Sequence, residues 1–416
     1  MEYSNIPDHN IFQLERMFGA QHYKQLNLIV RHAIGCWLTD INSTRYLDCL
    51  AAYSAANPGH NHHMITGAIM DAMHGCYGSV ISNVVHTDSY SIFLERLCKF
   101  VPQLGLRFGN NGNKALLKNG GVESVETAIK AMRYYGWKEK GIEDGKQEII
   151  VFDNNFHGRM ITTISFSSTE KYKQGFGPLT KGFVSVPYGD TKAVKEAITP
   201  NTCGILVEPM QGEGGMNIPP DYFLRVLRSI ANQHDLLLTF DEIQVGLGRT
   251  GKDFCFQHEG VIPDCLILGK ALSGGLVPLS AFITNSYIMN KVFSIGSDGS
   301  TYGGYPLACI AGIAALGVLE KEKLSEKSAK QGKILKDKLT DIAKRSSLIK
   351  EVRGKGLFIG IEVNDGNAMS YCKELLREKL LVNDSHGHTI RISPPLIISD
   401  WEIDFLCERI ERVLVK

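Results

Sequence analysis

The chain has 416 residues, with 45 Lys and Arg against 44 Asp and Glu, a net charge of +1, and 44% hydrophobic and 21% charged residues. At roughly 150 residues per domain, that length predicts two or three domains with a substantial core. The near-zero charge excludes recruitment of nucleic acid by bulk charge.

The ten cysteines are scattered without a C-x-x-C pair, which fits neither a disulfide framework nor a zinc ribbon and points to a reducing compartment. The longest charge-free apolar stretch, Leu307 to Leu319, is too short to span a bilayer, so no membrane association is expected. Met1-Glu2-Tyr3-Ser4, with Asp8 and Glu15 ahead of Arg16, shows neither an apolar signal core nor an Arg-rich transit segment. The expected location is cytoplasmic.

In chain order, Val122 to Tyr135 carries apolar residues at helical spacing, and Glu148 to Phe152 and Gly204 to Val207 are short apolar runs. Tyr222 to His234 is again helical, followed by the runs Leu236 to Phe240 and Cys265 to Leu268. Strands alternating with helices predict a mostly parallel sheet covered by helices. After Pro306 one long helical stretch is expected to about Lys344, with Leu335, Leu339 and Ile342 on its buried face. Leu357 to Val363 and Thr389 to Ile392 are expected strands flanking a helix around Ser370 to Lys379. The expected fold is α/β: a large domain over residues 51–305, a smaller α+β domain over 306–416, and an N-terminal segment, 1–50, joining the small domain.

In open parallel sheets ligands bind beyond the carboxyl ends of the strands. Three runs end suggestively there: Val207 leads into Glu208-Pro209, Phe240 into Asp241-Glu242, and Leu268 into Gly269-Lys270. A half-buried lysine followed by Ala271-Leu272-Ser273-Gly274-Gly275 could lose its proton and form an imine with a carbonyl. Taken alone, such a lysine is more often a surface residue or an ion-pair partner. Asp241 supplies what pyridoxal phosphate chemistry needs, a carboxylate that keeps the pyridine nitrogen protonated. The competing account has Asp241 capping a turn and Glu242 pairing with Arg249. Asn119-Gly120-Gly121-Val122-Glu123-Ser124 places a glycine pair at a helix start, where backbone N–H groups can hold a phosphate.

Two other patterns are read as decoys. Gly246-Leu247-Gly248-Arg249-Thr250-Gly251 matches a dinucleotide fingerprint but opens no helix. Gly59-His60-Asn61-His62-His63 lacks partners at metal spacing and reads as a loop with solvated or capping histidines, so no metal site is expected.

Taken together the residues resemble the class III pyridoxal-phosphate-dependent aminotransferases of fold type I, and within them the ornithine δ-aminotransferases. The likeness runs through Phe18 to Tyr23, Tyr53 to His60, Asn119 to Thr127, Phe156-His157-Gly158-Arg159 and Glu208 to Glu213. It continues through Asp241 to Gln244, Leu268 to Gly275, Ser300 to Gly304, Val352 to Gly356 and Ile390 to Pro395. The resemblance implies that Lys270 carries pyridoxal phosphate as a Schiff base, Asp241 holds the pyridinium, Phe156 stacks on the ring and Gln244 contacts the phenolic oxygen. Gly120, Gly121 and Val122 would surround the phosphate, and Thr301 would reach the phosphate of the neighbouring subunit, implying a homodimer with shared sites.

For substrates the resemblance implies Arg159 as a fork for a carboxylate, Tyr23 near the donor's amino group, Tyr53 in the pocket, and Glu213–Arg391 as a pair that opens for the second carboxylate of 2-oxoglutarate. An ordinary ion pair is the other reading of Glu213–Arg391. The expected activity moves the terminal amino group of L-ornithine to 2-oxoglutarate, giving glutamate 5-semialdehyde and glutamate. Other ω-amino donors, namely N-acetylornithine, lysine, diaminobutyrate and 4-aminobutyrate, remain open, as do racemase or decarboxylase chemistry on the same fold and a binding protein without turnover. The chain departs from the family's usual pattern at Gly120 (usually Thr or Ser), His157 (often Trp) and Tyr305 (often Asn).

Overall fold

The computed structural model describes residues 8–415, the first three of them by backbone alone; residues 1–7, on which part of the reading of the N-terminus rests, lie outside them. At its centre is a seven-stranded sheet. From one edge its strands are Asn113–Lys118, Ser280–Asn285, Cys265–Leu268, Leu237–Asp241, Thr202–Val207, Glu148–Phe152 and Phe183–Val186. Ser280–Asn285 runs antiparallel to both neighbours, and the other pairings are parallel.

Both faces of this sheet are buried, which is why its strands read as continuous apolar runs. Ile205 and Val207, Leu238 and Phe240, and Leu266 and Leu268 enter one core, with Leu227 and Ile230 of the helix Phe223–Gln233. The alternate residues Leu206, Leu237 and Ile267 enter a second core with Val125, Ile129 and Met132 of the helix Gly121–Lys138. The Leu236 to Phe240 run is displaced by one residue, so Asp241 is the last residue of its strand. The strands Asn113–Lys118, Phe183–Val186 and Ser280–Asn285 escaped the sequence reading because each mixes polar residues with apolar ones.

The long helix expected after Pro306 is two helices, Pro306–Lys321 and Leu324–Lys344, separated where Lys323 takes a left-handed φ of 51°. The break lets them serve different bodies. The first packs on the helices His63–His74 and Asp88–Phe100, and the second on the strand Ile349–Lys355 and the helix Asp400–Leu414. Leu335, Leu339 and Ile342 are buried as expected, each worth about 2 kcal/mol.

The C-terminal sheet is antiparallel, in the order Ile349–Lys355, Phe358–Val363, Thr389–Ile392, Asn383–Ser385, with the helix Ala368–Arg377 against it. A third sheet joins the N-terminal strands Val30–Ile34, Trp37–Asp40 and Arg45–Asp48 to Leu380–Leu381. There Trp37 donates to Glu402 Oε1 at 2.7 Å and stacks on Trp401. No helix among the described residues is long and apolar enough to cross a membrane.

Helix Leu324–Lys344 lies directly on the turn between two strands of the C-terminal sheet, since a Cβ added at Gly332 would come within 2.1 Å of the Gly356 carbonyl carbon. Gly332→Ala should therefore cost about 3 kcal/mol by overpacking against immobile backbone, read as a lowered urea midpoint. Gly317→Ala, whose new Cβ meets nothing closer than 3.8 Å, should be neutral or stabilising.

Candidate active site

The parallel strands bring Glu208, Asp241 and Lys270 to one end of the sheet, around a cavity of about 160 Å³ that Gly121, Phe156 and Gln244 also line. Lys270 begins a short 3-10 turn with a φ of 46°, a conformation that non-glycine residues adopt at a cost and that concentrates at functional sites. Burial lowers its amine to about 8, against the opposing pull of Glu213.

Asp241 is held on both oxygens. Oδ1 accepts the Ile243 N–H at 3.0 Å, and Oδ2 accepts Nδ1–H of His157 at 2.7 Å. His157 is completely enclosed: burial opposes its charge, but the bond to Asp241 prevails and raises its pKa above the ordinary histidine value. Its Nε2 has no partner among the described residues. Glu208 accepts the Phe156 N–H at 3.1 Å, and burial pushes its carboxyl up to about 7 although His157 pulls the other way. His157 entered the sequence reading only as a departure and Glu208 only as a strand-end acid. The contacts that define them join residues 84 and 52 apart in the chain, invisible to local pattern.

Glu123 Oε2 accepts the N–H groups of Asn119 at 3.1 Å and Gly120 at 2.6 Å, so the Gly120 donor is committed and Gly120 does not line the cavity. Gly121 and Val122 do, at the start of an 18-residue helix whose first N–H groups have no intrahelical acceptor. A side chain at residue 121 would meet Ile243 Cδ1 at 2.8 Å, which explains the glycine. A dianion-accepting helix start, an aromatic at Phe156, a carboxylate at Asp241 and the partnerless Gln244 Oε1 suit pyridoxal phosphate.

A wider opening of about 940 Å³ is lined by Tyr23, Tyr53, Arg159 and Glu213. Arg159 is exposed, donates to Tyr172 OH at 3.3 Å and lies 5.6 Å from the Tyr23 ring centroid. Tyr53 belongs to a left-handed run in which Ala51, Ala52, Tyr53 and Ser54 all have φ between 46° and 74°. Asp48 Oδ1 anchors that run by accepting from Leu50 and Ala51, at 2.8 and 3.0 Å. The Tyr53 ring consequently lies 5.0 Å from the Arg391 guanidinium, and its hydroxyl accepts from Asn383 Nδ2 at 2.8 Å.

Arg391, 1% exposed, donates from Nη1 to Glu213 Oε1 at 2.9 Å, while its Nε and Nη2 have no partner among the described residues. Burial opposes ionisation of Glu213, yet Arg391 and Lys270 hold its carboxyl below the usual range. Thr301 lies apart, exposed on a loop and lining neither cavity. That loop is tied to the glycine turn by Asn119 Nδ2 donating to Ser300 Oγ at 2.9 Å and by the Lys118–Asp298 ion pair.

Two readings of the sequence are corrected. Glu242 does not pair with Arg249: it accepts from Cys255 N and Phe256 N, at 2.7 and 2.8 Å, whereas Arg249 donates to Asn57 and to the carbonyls of Leu357 and Pro394. His60 and His62 are not merely solvated, and His62 stands at the N-cap position of the helix His63–His74 without a side-chain capping bond. Each bonds its own carboxylate, Asp48 at 2.6 Å and Glu322 at 2.8 Å, and no metal-ligand cluster occurs among the described residues. The Gly246 to Gly251 segment leads into a short 3-10 turn at Cys255–His258, as its rejection as a dinucleotide site requires.

An open α/β sheet with a half-buried lysine, a strand-end carboxylate and a helix start facing one cavity is the architecture of a fold type I, pyridoxal-phosphate-dependent enzyme. The class-III aminotransferase family model matches residues 18–414, and the chain belongs to that family. It is 44% identical over 409 residues to the ornithine aminotransferase of Bacillus cereus (strain Q1), covering 98% of this chain and 100% of that one. The ornithine aminotransferase 2 of Staphylococcus aureus (strain N315) is 44% identical over 403 residues, 97% of this chain and 98% of that one. Among solved structures, the ornithine aminotransferase of Toxoplasma gondii superposes with a TM-score of 0.93 at 32% identity, over 98% of this chain and 94% of that one. The acetylornithine aminotransferase of Elizabethkingia anophelis does so with 0.86 at 34% identity, over 98% of each.

The lowered pKa of Lys270 has a direction that can be measured. Its neutral, nucleophilic fraction grows as pH rises through about 8. Capture of pyridoxal phosphate by the cofactor-free protein should accelerate from pH 6.5 to about 9 and then level off, and borohydride should trap nothing covalent on Lys270→Ala.

Proposed function

We propose that the enzyme transfers the terminal amino group of L-ornithine to 2-oxoglutarate, giving glutamate 5-semialdehyde and glutamate. The carrying observation is Arg391, a buried guanidinium neutralised on one nitrogen by Glu213 and left with two unpartnered nitrogens near Lys270. A purely structural arginine at such depth would be expected to satisfy all its donors. Closed on Glu213, it offers little net charge to a cationic donor. Released, it can grip the second carboxylate of a dicarboxylic oxo acid in a forked contact.

The other residues fill complementary roles. Arg159 holds the donor's carboxylate, with Tyr23 beside its α-amino group and Tyr53 walling the pocket. Lys270 would bond the cofactor and, once free, would move the proton at the reacting carbon. Asp241, oriented by His157, would keep the pyridine nitrogen protonated; Phe156 would cover the ring; Gln244 would meet the phenolic oxygen; and Gly121 and Val122 would donate to the phosphate. Bound there, pyridoxal phosphate supplies an aldehyde and an electron-accepting ring.

Initial rates measured at several 2-oxoglutarate concentrations should give parallel double-reciprocal lines. In a panel of L-ornithine, N-acetyl-L-ornithine, L-lysine, 2,4-diaminobutyrate and 4-aminobutyrate, L-ornithine should lead in kcat/KM by roughly tenfold, about 1.4 kcal/mol in the transition state. Tyr23→Ile should shift preference toward reaction at the α-amine. Intersecting lines, or another donor in the lead, would contradict this assignment.

A homodimer with shared sites completes the proposal. Exposed Met70, Met73, Val84, Val85, Ile92 and Tyr302 form apolar surface on the helices His63–His74 and Asp88–Phe100 and the neighbouring loops. Asn83 Nδ2 donates to the carbonyl of Ser300 at 3.2 Å, joining this surface to the loop of Thr301. Covering it with a second copy would carry Thr301 to the partner's phosphate. Sedimentation should show a dimer, and Val84→Asp should shift it toward monomer with loss of cofactor. The free thiol state of all ten cysteines accords with a cytoplasmic setting.

A further inference from the structure

Residue 120 has no side chain, so the glycine turn can present only backbone donors to an anion, and their value depends on how the peptide planes are aimed. The plane joining Gly120 to Gly121 is fixed from the side away from the cavity. The Gly120 carbonyl accepts the Ser280 hydroxyl at 2.8 Å and the Glu123 N–H at 3.0 Å, while the Glu123 carboxylate holds the Gly120 N–H of the preceding peptide plane. Ser280, the first residue of the antiparallel strand, is completely buried, as is Ser124, whose Oγ lies 2.8 Å from Ser280 Oγ. With the Ser280 proton given to the carbonyl, Ser124 is the donor in that second bond. In a trans peptide the C=O and the following N–H point in opposite directions. Anchoring the Gly120 oxygen on Ser280 therefore turns the Gly121 N–H the other way, toward the cavity that Gly121 lines.

We propose that Ser280, with Ser124 behind it, is a positioning residue for recognition of a phosphate monoester: it never touches the ligand but locks the peptide plane whose N–H does. The inference rests on the reading of the cavity as the pyridoxal phosphate site and adds the residue that substitutes for a phosphate-binding side chain at 120. The role is confined to the phosphate, because none of the hydrogen bonds that hold Asp241, Phe156 and Gln244, the groups proposed to meet the ring, runs to Ser280.

The test compares dissociation constants of pyridoxal phosphate and of pyridoxal, which lacks the phosphate, on the full-length protein freed of cofactor. Ser280→Ala should weaken pyridoxal phosphate by roughly tenfold, the scale of one lost hydrogen bond, and leave pyridoxal within about twofold. Ser280→Cys, close in size and a weak donor, should show the same selective loss, which keeps the test available if the alanine variant folds poorly. Equal losses for both compounds, or none, would overturn the assignment and mark Ser280 as packing alone. If the unsubstituted protein binds neither compound covalently, the reading of the cavity falls, and this inference with it.

Discussion

The constraint on which everything else rests is that the central strands are buried on both faces. Those of them that run parallel cannot be joined by hairpins: each connection has to cross back over one face of the sheet, so their carboxyl ends lie together. Glu208, Asp241 and Lys270 meet because each lies at or just beyond the carboxyl end of such a strand. The single antiparallel strand, Ser280–Asn285, enters from that same end and delivers Ser280 to the glycine turn at the moment it joins the sheet.

Within that frame the site is governed by charge balance in a nearly dry interior. Burial and the nearby Asp241 disfavour ionisation of Glu208, and His157, bonded to Asp241, pulls the other way. At the mouth, Glu213 is held ionised by Arg391 and Lys270, while Lys270 is moved toward neutrality by its own burial. The arrangement keeps a carboxylate where a protonated ring nitrogen needs it and a nucleophilic amine where an aldehyde would be captured. Backbone strain falls at the same places: the left-handed run at Ala51–Ser54 carries Tyr53 onto Arg391, and Lys270 itself is left-handed. The first is sustained by its bonds to Asp48.

The relatives agree with this economy. Superposition over nearly the whole chain at about one-third identity indicates that the sheet, the glycine turn and the C-terminal strand bearing Arg391 form one scaffold. An ornithine and an acetylornithine aminotransferase share it at comparable identity. The fold by itself therefore does not set the donor, and the proposed assignment rests on side chains at the opening, Tyr23, Tyr53 and Arg159.

Residues local to one strand end were legible in the chain itself. The apolar runs before Glu208, Asp241 and Lys270, and the glycine pair before Val122, declare themselves through periodicity and turn chemistry, which depend only on near neighbours. What could not be read was any feature set by a partner far along the chain. The strands Asn113–Lys118 and Ser280–Asn285 are polar in part, because their ends meet loops and caps contributed from elsewhere. The single helix expected to Lys344 breaks at Lys323 because two bodies claim its halves. His157 looked like a mere departure until Asp241 stood 2.7 Å away, and Gly120 looked like a phosphate ligand until Glu123 claimed its N–H. The amino-acid order alone determined which residue types could perform the chemistry and the local structure that carries them. Folding decided which groups are paired, buried or left with a free donor, because desolvation and hydrogen-bond geometry are properties of distance in space and not along the chain.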